Sequence, residues 1–225
     1  TYVAARQTTG GRSQTGGRRD VSIKTNPGNF FEDFKLGQEI VHAVPRTVTA
    51  GDVALYIGLT GPRSALHSSD AFARAIGYGK APIDDILVFH VVFGRTVADI
   101  SLNAVANLGY AECKFGAPVY VGDTLSTRST VIGLKENSSR ETGILYVRSV
   151  GRNQRDEVVL EYVRWVMVKN RDQAHPAPDT HVPELAGAVA PVDFYIPAGL
   201  QMENYDRALA GAPHVWEDYR KGERI

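Results

Sequence analysis

Ile83-Asp84-Asp85-Ile86-Leu87-Val88-Phe89-His90-Val91-Val92-Phe93-Gly94-Arg95-Thr96-Val97-Ala98-Asp99-Ile100 is the most apolar stretch of the chain. Apolar residues fall nearly all round a helical wheel, which predicts a helix buried on most faces. Asp84 and Asp85 lie in its first turn, where carboxylates suit the partial positive charge of a helix N-terminus. Downstream the pattern changes to that of strands. Asn107 to Phe115 leads into the turn Ala117-Pro118-Val119-Tyr120-Val121-Gly122-Asp123. Thr124 to Leu134, Gly143 to Gly151 and Glu157 to Val168 then follow, rich in Val, Tyr, Thr and Trp. One buried helix followed by consecutive antiparallel strands predicts an α+β layer, a curved sheet wrapped round the helix, which is the hot-dog architecture.

Upstream, Thr49-Ala50-Gly51-Asp52 precedes the apolar run Val53 to Ile57. A Thr with an acidic residue three positions on predicts a helix start, and Gly61-Pro62 a stop. A second short helix is expected from Ser69 to Ile76, ended by Gly77. The folded domain is expected over 29–170. Residues 1–28 are rich in Gly, Arg, Ser and Thr and are expected to form a disordered tail; a basic RNA-binding arm is disfavoured by the lack of interleaved aromatics. The chain starts at Thr1 rather than methionine, so its ends need not be natural ones.

Residues 171–212 shift to Ala, Pro and Asp and predict a stiff linker. Beyond it, Trp216-Glu217-Asp218-Tyr219-Arg220-Lys221-Gly222-Glu223-Arg224-Ile225 echoes Phe31-Glu32-Asp33-Phe34-Lys35-Leu36-Gly37-Gln38-Glu39-Ile40. Glu, Asp, Gly and Ile recur in register, and both aromatic positions stay aromatic. A self-similar segment at this distance predicts a duplicated domain, with 213–225 the start of a truncated second repeat.

The 225 residues balance to zero formal charge, which gives no reason to expect a nucleic-acid or membrane partner. Cys113 is the only cysteine, so no intrachain disulfide forms, which suits a reducing cytoplasm. No apolar run is long and charge-free enough to span a bilayer, and no signal-peptide core appears. His42, His175, His181 and His214 fall in strand or linker contexts without metal-ligand spacing, so no metal site is expected. His90 reads as a satisfied core histidine.

Leu55-Tyr56-Ile57-Gly58-Leu59-Thr60-Gly61 through Leu66-His67, with Pro118-Val119-Tyr120-Val121-Gly122-Asp123-Thr124-Leu125 downstream, resembles the MaoC-like (R)-specific enoyl-CoA hydratases. From Asn26 onward nearly the whole chain resembles the N-terminal half of the mesaconyl-CoA hydratase family (2-methylfumaryl-CoA hydratase, β-methylmalyl-CoA dehydratase). That resemblance is carried by 29–34, 45–49, 81–85, 88–94 and 99–110. It implies one half of a double hot dog, reversible water addition to a CoA thioester, mesaconyl-CoA as substrate, and no cofactor beyond the CoA of the substrate.

Such hydration needs a base for water, an acid for the α-carbon and donors for the enolate oxygen. The family's S-G-D-x-N-P-x-H pattern reads here Thr60-Gly61-Pro62-Arg63-Ser64-Ala65-Leu66-His67. Pro62 stands where the acid is expected, so only His67 of the dyad remains; this half is expected to be mainly structural and substrate-binding, with the competent acid–base set coming largely from the second repeat. Ile83-Asp84-Asp85 replaces the family's V-H-G, and Asp84 takes the place of its His. Asp84 and Asp85 are candidate bases, or simple helix caps; His67 is a catalytic candidate, or a polar loop residue. Arg63 and Arg95 are candidates for a substrate carboxylate or a CoA phosphate, with solvated surface arginine as the alternative. Asn107 and Gly109 are expected beside the pantetheine arm. Two rival readings are a CoA thioesterase on the same fold, with Asp84 activating water, and a non-catalytic acyl-CoA-binding module. Either way, an exposed sheet edge predicts a homodimer or pairing with a second repeat.

Overall fold

The computed structural model of the chain describes residues 25–211 and 214–224. Nearly all of the tail expected over 1–28 lies outside these. Nine principal elements follow in order: β1 (Glu39–Thr47), α1 (Ala50–Thr60), α2 (Ala65–Ser68), α3 (Asp70–Ala75), α4 (Asp85–Thr96), β2 (Ala104–Phe115), β3 (Thr124–Glu136), β4 (Thr142–Arg152) and β5 (Val158–Lys169). The strands form one antiparallel sheet in the order β1-β3-β4-β5-β2, with α4 against its inner face. This is the α+β hot-dog arrangement, with β1 and β2 as open edges.

The helix signals act as their chemistry dictates. Thr49 Oγ1 accepts from Asp52 N (3.2 Å) while Asp52 Oδ2 accepts from Thr49 N (2.9 Å), a reciprocal cap. Gly61 closes α1 in the left-handed conformation at φ 59°. The helix expected from Ser69 to Ile76 is α3, capped by Ser69 Oγ on Phe72 N at 3.2 Å, and the short turn α2 precedes it unannounced by the sequence.

Two expectations for α4 need correction. Only Leu87, Val88, Val91, Val92 and Thr96 are buried, because the sheet covers one side and α1 covers the other thinly. His90 is therefore exposed rather than a core residue, its ring 6.2 Å from that of Tyr56. No residue of α1 is buried, and Leu55 and Leu59 are 63% and 76% exposed.

The core is two apolar clusters. One gathers Leu87, Val88, Val92, Leu125 and Leu160; the other Phe31, Ile100, Val131, Leu145, Val147 and Val166. Between them a row of polar side chains crosses the sheet under the last turn of α4. His42 on β1 meets Ser129 Oγ on β3 through Nε2 (2.8 Å), and Ser129 meets Ser149 Oγ on β4 (2.7 Å). Tyr162 on β5 is Ser149's register partner, and buried Arg164 donates to Thr96 Oγ1 at 3.0 Å. His42 Nδ1 lies 2.7 Å from Asp99 Oδ2. Burial lowers the His42 pKa, partly countered by Asp99.

After β5 the chain does not hang free. It forms a strap across the domain: His181 pairs with Leu134, Ala186 N reaches Glu112, and Gln201 N reaches Ile76 O. The repeated decapeptide also repeats its local structure. Asp33 Oδ2 accepts from Phe30 N (2.9 Å) and Asp218 Oδ2 from Val215 N (2.8 Å), each closing a single 3-10 turn. The environments differ: Phe31 is fully buried and Trp216 is 87% exposed.

Candidate functional site

The start of α4 is set by the turn that the Pro118–Leu125 motif encodes. Ile83 N donates to Val119 O (2.8 Å), and Gly122 turns at φ 99°. There an L side chain is strained, so glycine is required. Asp123, buried beneath, accepts from Tyr120 N (2.9 Å) and Gln154 Nε2 (2.6 Å). This motif is scaffold, and what it positions is the helix end.

At that end the adjacent carboxylates diverge. Asp84 is the N-cap residue, its Oδ1 accepting from Ile86 N at 2.8 Å, and its charge raises the phenol pKa of Tyr56 on α1 after burial. Asp85 enters a separate pocket of about 110 Å³ with His67 and Tyr78. Phe115, Gly116 and Pro118 form its floor, and Tyr195 and Pro197 of the strap complete it. Asp85 is exposed over much of its surface, yet desolvation on its pocket side pushes its carboxyl pKa up; nearby His67 pulls it back and Asp84 raises it further. His67 Nδ1 lies 3.1 Å from Pro82 O. Only a protonated Nδ1 can donate to that carbonyl, which leaves Nε2 as the basic nitrogen.

Of the sequence candidates, the structure brings together His67 and Asp85, with Asp84 alongside. The others lie elsewhere. Arg63 is exposed between α1 and α2, outside the pocket. Arg95 is ten residues along α4, about 15 Å away by helical rise, and donates to Val44 O at 3.3 Å. Asn107 and Gly109 stand on β2, at least six residues from Phe115, roughly 20 Å of strand. Gly109 has a packing reason of its own: a Cβ there would sit 2.4 Å from the Trp165 indole.

Sequence reasoning missed Tyr78 and Tyr195. The aromatic pair Phe194-Tyr195 between Pro191 and Pro197 was the available signal, since a solvated linker has no use for it. Burial, Asp85 and Tyr195 all raise the Tyr78 phenol. Among the described residues no cluster of three or more His, Cys, Asp or Glu could hold a metal, and no helix is long and apolar enough to cross a membrane.

Comparison with known proteins follows the same lines. The chain is 61% identical over 205 residues to a β-methylmalyl-CoA dehydratase of Chloroflexus aurantiacus, covering 91% of this chain and 58% of that protein. It is 60% identical over 203 residues to a mesaconyl-CoA hydratase of Cereibacter sphaeroides, covering 90% and 59%. The chain thus spans less than two thirds of the length of these curated relatives. The solved structure of a MaoC domain protein dehydratase from Chloroflexus aurantiacus superposes with TM-score 0.86 at 61% identity, covering 90% of this chain and 57% of that one. A Mycobacterium tuberculosis protein described as having a double hot-dog fold superposes with TM-score 0.62 at 26% identity, covering 83% and 57%. The family profile for mesaconyl-CoA hydratase matches residues 18–216, and the chain belongs to that family.

Proposed function

We propose that the chain is the N-terminal part of a CoA-thioester hydratase that adds water reversibly to mesaconyl-CoA, giving β-methylmalyl-CoA, and that it both holds the substrate and contributes acid–base groups. The observation that carries this is a histidine and a carboxyl of raised pKa in one pocket at the N-terminus of the hot-dog helix, in a chain about 60% identical to proteins so named. Pro62 removed the family's sequence-adjacent acid, and Asp85 brings a carboxyl to the same histidine from another element.

In this reading His67 Nε2 accepts a proton from water as its oxygen bonds to the β-carbon. Charge moves to the thioester oxygen, which the partial positive charge of the α4 N-terminus stabilises. Asp85, whose carboxyl pKa is raised, delivers a proton to the α-carbon in this reading, and proton return from His67 restores the pair. The reaction needs no cofactor beyond the CoA that the substrate carries. The remaining walls of the site come from pairing, with a second hot-dog repeat or a second copy, against the exposed apolar edge of β2 at Val105, Leu108 and Tyr110. The domain scheme read from the sequence, with a linker and a second repeat, belongs to the same proposal. The single cysteine suits a reducing cytoplasm.

The test is an assay of the intact protein with mesaconyl-CoA, following enoyl absorbance and free thiol together. Loss of absorbance without thiol is expected, and His67→Ala should slow it about a hundredfold. Thiol release would mean a thioesterase instead. Unchanged turnover in both His67→Ala and Asp85→Asn would place the chemistry outside this pocket and leave the chain a binding module.

A further inference from the structure

The strap after β5 supplies two walls of the His67–Asp85 pocket, and it is pinned on both sides of them. Upstream, His181 and Leu134 exchange backbone hydrogen bonds of 2.8 Å each way, and Ala186 N donates to Glu112 Oε1 at 3.0 Å. Downstream, Gln201 N donates to Ile76 O and Asn204 Nδ2 to Ala75 O, both at 3.0 Å. The Tyr205 ring stands edge-on to Phe72 with centroids 5.2 Å apart. Gly199, at φ 78°, brings its carbonyl so close to Gly77 that a Cβ on Gly77 would lie 2.5 Å from the oxygen. A segment held at both ends cannot withdraw from the pocket by side-chain rotation alone; its backbone must peel off.

Tyr195, 52% exposed, and Pro197 therefore stand beside the pocket on a backbone path held at both ends. The space beside them is small, about 110 Å³, and opens to solvent. A short acyl group fits within it, whereas a longer chain has to run on past the Tyr195 ring. The wall is also polar in a specific way: the phenols of Tyr78 and Tyr195 stand in the same pocket as the Asp85 carboxyl, whose pKa is raised. Neutral donors suit an incoming carboxylate, and a bound carboxylate would hold the proton on Asp85 more firmly.

We infer that Tyr195 is a specificity-determining residue: its ring restricts the pocket to short acyl groups, and its phenol favours an acyl group ending in a carboxylate. This rests on the reading that the pocket receives the acyl group. Asp85 and His67 act on the reacting carbons, while Tyr195 decides which acyl group reaches them.

The experiment is calorimetric titration of the intact protein with free CoA, crotonyl-CoA, mesaconyl-CoA and trans-2-octenoyl-CoA. Wild type, Tyr195→Ala, Tyr195→Phe and Phe194→Ala are compared. Wild type should bind mesaconyl-CoA best and octenoyl-CoA worst. Tyr195→Ala should shrink that ratio about tenfold by admitting the longer chain. Tyr195→Phe keeps the ring, and so should still reject octenoyl-CoA while losing about tenfold of the preference for mesaconyl-CoA over crotonyl-CoA, one charge-assisted hydrogen bond. Phe194→Ala, on the strap but outside the pocket, should leave the ranking as it is. An unchanged ranking in both Tyr195 variants, with wild type still preferring acyl-CoA to CoA, overturns the inference. Wild type binding acyl-CoA no tighter than CoA overturns instead the reading of the pocket beneath it.

Discussion

His42 meets Asp99 at 2.7 Å inside the sheet layer, whereas His67 shares an open pocket with Asp85 at the head of α4. By contact distance alone the first pair is the better dyad. Its surroundings say otherwise. His42 is 4% exposed and uses both ring nitrogens, on Asp99 and on Ser129, so it has no lone pair left for a substrate. The second pair leaves Nε2 of His67 and the carboxyl of Asp85 facing space that a small molecule can fill. A histidine with both ring nitrogens engaged is satisfied polarity in the core; one with a nitrogen unengaged at a cavity has capacity for proton transfer. Desolvation acts on one member of each pair, lowering His42 and raising Asp85, in both cases toward the neutral form.

The largest expected effect separates the pairs by stability. His42→Ala leaves Ser129 and Asp99 without their partner inside the sheet layer and should cost about 3 kcal/mol in urea denaturation. His67→Ala should change stability by less than about 0.5 kcal/mol. Equal losses would erase the distinction.

The next effect is pH dependence. The folded state holds His42 below its ordinary value of 6.5, so between those values the unfolded chain binds more protons. The stability from a neutral His42 is complete above about pH 6.5 and is lost as pH falls through the lowered folded value. His42→Gln should flatten that slope in thermal melts, and an unaltered slope would locate the acid sensitivity in other groups.

Smallest is the effect of Asp85→Asn. With its folded pKa raised, Asp85 opposes folding once pH exceeds the ordinary carboxylate range, and the penalty grows as pH rises through the folded value. The amide should therefore raise the melting midpoint at pH 7 by less than about 3 °C, an effect absent at pH 3. A lowered midpoint at pH 7 would mean that the Asp85 carboxylate contributes to the fold.

The scaffold was legible in the sequence wherever one residue type has one local use. Thr49 with Asp52, Gly61 and the alternating strands from Thr124 onward each have a single economical conformation. His67 and Asp85 were legible as candidates, but not as neighbours. They lie eighteen positions apart on different elements, and only the turn at Pro118–Asp123 sets the helix end beside α2. His42 was passed over because a strand residue's inward neighbours come from other strands. The strap was hardest: Pro and Ala composition shows stiffness without showing the surface on which the stiff segment is laid.

The repeated turn has an optical consequence. The chain holds two tryptophans. Trp165 is stacked on Tyr146 with centroids 6.1 Å apart and pressed against Gly109, while Trp216 is 87% exposed. Their emission should differ in colour and in access to a water-borne quencher such as iodide. Red-edge, quenchable light from Trp216 then acts as a built-in gauge of the second copy of the motif. Its shift to the blue, with loss of quenching, would record the moment another surface closes over that indole as the core closes over Phe31.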